Sequence, residues 1–256
     1  MDGALHRTRA FELALAGRSV DVVEPFPGGA SYRTPSLAAV WDLNFLWVAD
    51  AAGAEADDLA RTADRLQGET GLAHRRVVVP GERNAERLAP RLQALGWTAE
   101  RLLTMVAGET PEPRRAVAVE EVAFERLLGL RAELAREGPG GRSPAVVEQL
   151  LTAAARHARA GSARHFAVLD EGRPVAAADL YSDGRTAQVE DVATLTTHRG
   201  RGYASAIVLR AVEAARETGN DLVFLLADAD DWPQELYRRL GFEPIGDTHT
   251  FTRPSL

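Results

Sequence analysis

The sequence predicts an α/β fold: a mixed, mostly antiparallel sheet flanked by helices, in two tandem copies. Three observations carry this. Short apolar or alternating runs, bounded by turn residues, recur beside amphipathic helical stretches. Three of these runs stand in succession before a helix, the order of antiparallel hairpins leading into one crossover. The stretches RLQALGW (91–97) and LYRRLGF (236–242) close two series of similar elements, as an internal repeat would.

The elements follow in order. In the first half, WDLNFLWVAD (41–50) reads as a strand, with Trp41 and Trp47 spaced to pack in a core. EADDLARTADRLQGETG (55–71) reads as a helix, HRRVVVP (74–80) as a strand, NAERLAPRLQALG (84–96) as a helix and WTAERLLTMV (97–106) as a strand. AGETPEPRRA (107–116) has two prolines, mixed charge and no apolar period, and reads as a linker. The division is therefore 1–108, a linker at 109–116, and 117–256. In the second half, 119–136 is helical, with Val122, Leu127, Leu130 and Leu134 near one face. REGPGGRSP (136–144) reads as a mobile loop. Pro144 suits the first turn of a helix over 144–160. RHFAVLD, PVAAADLY and TAQVEDVATL are strands separated by the turns EGR and SDGR. A helix follows, burying Ile207, Val208, Ala211, Val212 and Ala215, and ends at Gly219-Asn220. DLVFLLAD is a strand covered on both faces, WPQELYRRLG a short helix, and FEPIGDTHTF the last strand.

Composition narrows the chemistry. The 256 residues carry a formal charge of −7, which argues against a nucleic-acid partner. There is no cysteine, so disulfides, thiolate nucleophiles and Cys-ligated zinc are closed. All 30 basic residues are arginine, which closes Schiff-base chemistry and a Walker-type phosphate loop. The six histidines show no paired spacing, so no metal is expected. No apolar run approaches the ~20 residues of a membrane span, and the N-terminal stretch has no signal-peptide core. A cytoplasmic location without a membrane partner is the expectation.

HRGRGYAS (198–205) joins a strand to a helix. A helix start offers unpaired amides and partial positive charge, and glycines let a ligand approach the backbone, so this turn is built to hold an anion such as a diphosphate. Arg199 and Arg201 can add charge-assisted contacts. GRGYAS nearly fits the dinucleotide pattern, but Ser205 stands in place of its third glycine and antiparallel strands precede it. A purely structural turn is the third reading.

Arg199, Gly202 and Ala204 fit the R-x-x-G-x-A/G pattern of the GNAT superfamily of acetyl-CoA-dependent N-acetyltransferases. With the preceding VEDVATL and the following ELYRRLGF, residues 115–256 resemble that family, whose acyl-CoA N-acyltransferase fold matches the predicted order. The resemblance implies that amides of Arg199, Gly200, Arg201, Gly202, Tyr203, Ala204 and Ser205 bind the pyrophosphate of acetyl-CoA. It implies that backbone groups of Thr194, Leu195 and Thr196 pair with the pantetheine arm, between strands that splay to admit it. Tyr237 stands where the family often places the acid that protonates the departing thiolate; the alternative is a core tyrosine beside Leu236. ADADDW (227–232) departs from the asparagine that many members carry near the start of this helix. An attacking amine must lose a proton, and Glu190 is the favoured base, against a solvated strand residue. Strand alternation points Asp191 to the opposite face.

The implied activity is acetyl transfer to a primary amine, on a small molecule or a peptide, by direct attack in a ternary complex. The alternative is a non-catalytic acyl-CoA sensor. In the first half, Glu55, Asp57 and Asp58 crowd the corresponding helix start, and Leu92 falls opposite Tyr237. Carboxylates there repel a diphosphate, so that half reads as a degenerate copy that shapes the acceptor site.

Overall fold

The computed structural model describes residues 2–111, 117–137 and 142–254. The first series of elements is α1 (Asp2–Ser19), β1 (Val22–Phe26), β2 (Gly29–Arg33), β3 (Phe45–Val48), α2 (Ala56–Ala63), β4 (His74–Pro80), α3 (Glu82–Ala94) and β5 (Thr98–Ala107). The second is β6 (Glu120–Val122), α4 (Phe124–Glu137), α5 (Pro144–Ala160), β7 (Arg164–Asp170), β8 (Arg173–Ser182), β9 (Thr186–Thr194), α6 (Tyr203–Glu217), β10 (Leu222–Asp228), α7 (Pro233–Arg239) and β11 (Phe242–Pro254). The segment β7–β8–β9–α6–β10–α7–β11 repeats β1–β2–β3–α2–β4–α3–β5, which makes the fold a tandem one.

Among the described residues the strands lie in one 11-stranded sheet, ordered β1-β2-β3-β4-β11-β5-β10-β9-β8-β7-β6. The two terminal strands are exchanged. β5, from the first series, pairs antiparallel with β10, and β11, from the second, pairs antiparallel with β4. They also pair with each other, from Phe242↔Ala107 to Thr252↔Thr98. A cut at the expected linker thus divides the chain but leaves the sheet whole. Residues 112–116 of that linker, and 138–141 of the expected loop at 136–144, lie outside the described residues.

The helices cover the second half of the sheet on both faces. The α6 residue Arg210 stands over the Phe166 ring at 5.8 Å, whereas Phe124 of α4 meets the His165 ring at 5.4 Å. Adjacent strand residues face opposite ways, so α6 and α4 lie on opposite faces. Ile207, Val208 and Val212 of α6 are at most 1% exposed, each burial contributing about 2 kcal/mol. α1 shares the α4 face: Phe11 meets Phe224 edge-on at 5.8 Å, and Leu15 packs with Tyr181.

Several elements differ from expectation. α1 spreads its apolar residues around its circumference, so it has no one-sided stripe to read. Val122 belongs to a strand, paired with His165, and the helix starts two residues later. Trp41 sits in a tight turn, 41% exposed and stacked on His74 at 5.0 Å, rather than in a core strand.

Candidate active site

The turn before α6 is shaped by glycine. Gly200 and Gly202 take φ of 75° and 86°, a region costly for residues with a Cβ, and both face open space. Gly202 is the N-cap, and no side chain caps this helix. Ala206 is the first helical residue bonded to the turn, through the Gly202 carbonyl at 3.1 Å. The amides of Tyr203, Ala204 and Ser205 come before it and have no helical partner. They border a cleft of about 570 Å³, together with Arg199, Gly200 and Gly202. Arg201 does not line it; its guanidinium turns back to the Thr197 carbonyl at 3.4 Å.

The cleft continues into a gap between strands. β9 and β10 pair in parallel only from Leu222↔Thr186 to Phe224↔Gln188. Beyond that, β10 stays with β5 and β9 stays with β8, so an edge of β9 opens. The Leu195 amide donates to the Val175 carbonyl of β8 at 3.0 Å. Successive amides of a strand point to opposite edges, so those of Thr194 and Val192 point into the gap. Of the three residues expected along the arm, only Thr194 has a free amide there. Leu195 is spent on β8, and the Thr196 amide donates to Glu137 Oε2 at 3.3 Å. Thr194 Oγ1 is buried without a partner among the described residues. Sequence reasoning missed Val192, Leu134, Trp232 and Leu236 on the cleft walls; Trp232 is 60% exposed, which marks it once the fold is known. Asp231 lines the cleft and caps the Trp232 amide at 2.7 Å, in the region where the family pattern favours asparagine.

Tyr237 reaches the same cleft from α7, its ring 6.0 Å from Phe242. Burial, with a smaller effect from the Glu190 charge, pushes its hydroxyl up to about 12, so it holds its proton at neutral pH. Glu190 does not line the cleft wall; it sits on β9 just before the gap, and the Gln188 amide donates to its Oε2 at 2.6 Å. Loss of hydration, reinforced by neighbouring Asp191, raises its carboxyl to about 8. Glu12 of α1 lies on the same face and is raised to about 8 by burial.

Asp191 corrects the alternation expected from sequence. Its φ is 53°, and the β8–β9 register shifts between Ala177 and Asp179, which marks a β-bulge. Such a φ costs a non-glycine residue about 1–2 kcal/mol. The bulge breaks the alternation. Glu190 faces Asp179 across the ladder, and Asp179 and Asp191 share one guanidinium, that of Arg131, at 2.6 and 3.0 Å. Glu190 and Asp191 therefore stand on one face. Asp179 is fully buried; burial pushes its carboxyl up, but His165 and Arg131 outweigh that and hold it low.

These features fit a thioester carried on a long arm with a diphosphate: free amides at a helix start, a strand edge open to pairing, and an unpartnered hydroxyl. The model of the acetyltransferase (GNAT) family matches residues 127–242. A curated relative, the uncharacterized N-acetyltransferase CgeE of Bacillus subtilis (strain 168), is 29% identical over 79 residues, a match spanning 30% of each chain. Among solved structures, a functionally unknown conserved protein from Staphylococcus epidermidis superposes with a TM-score of 0.72 at 15% identity, over 93% of this chain and 96% of its own. A GCN5-related N-acetyltransferase from Kribbella flavida superposes with a TM-score of 0.64 at 21% identity, over 99% and 96%. The matched stretch contains the glycine turn, the open edge of β9 and Tyr237 together: over residues 127–242 this chain is similar to the GNAT acetyltransferase family.

Proposed function

We propose that the protein transfers an acetyl group from acetyl-CoA to a primary amine by direct attack in a ternary complex. One observation carries the reading: an uncapped helix start, an open strand edge and a protonated tyrosine border one cleft, with a carboxyl raised towards neutrality on β9 just before its gap. The amides of 202–205 hold the diphosphate, with Arg199 at the rim. Thr194 and Val192 align the arm. Glu190, once ionised, takes the proton of the attacking amine directly or through water. Tyr237 donates its proton to the departing thiolate. No cysteine exists to carry the acyl group as a thioester. Once ionised, the carboxyls of Glu12, Glu190 and Asp191 favour a cationic amine.

The test is thiol release from acetyl-CoA with a panel of small primary amines and peptides. Acetylation of at least one amine, with the product identified by mass, is expected. A protein that binds acetyl-CoA but acetylates none would be a sensor instead.

A further inference from the structure

Arg131 of α4 reaches both β8 and β9 beside Glu190. Its side chain is 12% exposed. Nη2 donates to both oxygens of Asp179 on β8, each at 2.6 Å, and Nη1 donates to Asp191 Oδ2 on β9 at 3.0 Å. Asp179 is held from other directions too: the Tyr181 hydroxyl donates to it at 3.2 Å, and His165 Nδ1 lies 2.7 Å away. Asp179 is thus a fixed point, and the arginine is fixed by it.

Asp191 is the opposite case. It is the bulged residue, left-handed and without a cross-strand partner, so the ladder does not hold it. Its carboxylate and that of Asp179 repel each other unless a cation stands between them. A planar fork can bridge two carboxylates in this way, and an ammonium cannot match that geometry. The bulge also lies between Glu190 and the edge that opens at Val192, so its shape sets where the carboxyl points relative to the gap.

We propose that Arg131 is a positioning residue for acyl transfer: its fork ties the Asp191 bulge of β9 to the buried Asp179 of β8 and so holds Glu190 towards the end of the gap. The inference rests on the acyl-transfer reading. It goes beyond it by assigning a role to a side chain that does not line the cleft.

The experiment is steady-state acetylation of spermidine, and of the amine panel above, by the full chain and its Arg131→Met and Arg131→Lys variants. Acetyl-CoA affinity and stoichiometry are measured by calorimetry on the same preparations. Arg131→Met should bind one acetyl-CoA with an affinity within about twofold of wild type, while kcat falls by about 10²-fold, the scale of a small misplacement of a reacting group. Arg131→Lys keeps the charge without the fork and should fall between the two. If Arg131→Met does not fold, Asp191→Ala leaves the buried Arg131–Asp179 pair in place and carries the same expectation. A folded variant with wild-type kcat overturns the inference, as does a parallel loss of kcat and of acetyl-CoA stoichiometry, which would mean that Arg131 only supports the fold. A wild type that binds acetyl-CoA yet acetylates no amine overturns the acyl-transfer reading, and this inference with it.

Discussion

The two strand-to-helix turns of the repeat enclose clefts of nearly equal size, about 570 Å³ before α6 and about 580 Å³ before α2, yet present opposite chemistry. Before α6 the backbone amides are free and two glycines bring them into the open. Before α2, Arg87 of α3 reaches into the turn and binds the carbonyls of Ala51, Ala52 and Ala54 at 2.8, 3.3 and 2.7 Å. Asp50, Glu55 and Asp58 line that cleft, together with Arg61 and Arg65. Aligning Gly96-Trp97 with Gly241-Phe242 puts Arg87 opposite Trp232 and the fully buried Leu92 opposite Tyr237. The start of α2 is likewise uncapped by a side chain, so the two turns differ in that Arg87 occupies the carbonyls of the first and carboxylates crowd it, whereas two glycines open the second. Cavity volume does not distinguish them; the glycines of the second turn and the carboxylates crowded at the first do.

This comparison can be broken at several points, from the largest expected effect downward. Tyr237→Phe should lower kcat by about 10²–10⁴-fold while acetyl-CoA affinity stays within about twofold, because the proposed role of the hydroxyl is confined to the departing thiolate. Comparable kcat in the two proteins would reduce Tyr237 to a core residue like Leu92. Glu190→Gln should cost about 10²-fold. With its carboxyl raised to about 8, wild-type kcat/KM should climb as pH passes through about 8, and the variant should lose that limb. The same limb in both would place the base elsewhere.

In the first half, Arg87→Met should destabilise the fold by about 2 kcal/mol through lost hydrogen bonds to a charged donor, read by denaturant unfolding. Acetyl-CoA stoichiometry should stay unchanged; a second binding site appearing or one vanishing would refute the division of roles. The smallest effect concerns Glu12. Its folded carboxyl, like that of Glu190, is raised above the unfolded value to about 8. The native state then holds more protons than the unfolded one between about 4.5 and 8. The stability this gives is full below that window and lost as pH rises through about 8. Melting temperature should fall from pH 6 to pH 9, and less so in Glu12→Gln. An equal fall in both would mean that Glu12 is solvated.

Legibility in the sequence followed the range of the interactions involved. The hairpin strands β7 to β9 and helices α5 and α6 lie close to where periodicity and turn residues put them, because alternation, Gly172, Gly184 and Pro144 act locally. The glycine turn was legible for the same reason. The exchange of β5 and β11 was not: both read as strands, but which neighbour each takes is decided by long-range pairing. The bulge at Asp191 was hidden too, since an aspartate in a strand pattern carries no sign of a left-handed φ. That one residue changes which carboxylates share a face. It also moves the open edge to Val192 and Thr194, leaving Leu195 bonded to β8.

The central claim is that the amides before α6 hold the diphosphate of acetyl-CoA and those before α2 do not. Calorimetric titration of acetyl-CoA into the full-length protein and into Gly202→Glu tests it most directly, because the added carboxylate gives the second turn the character of the first. The account predicts one site per chain in wild type and none in the variant. Equal binding by both, or no binding by wild type, would contradict it.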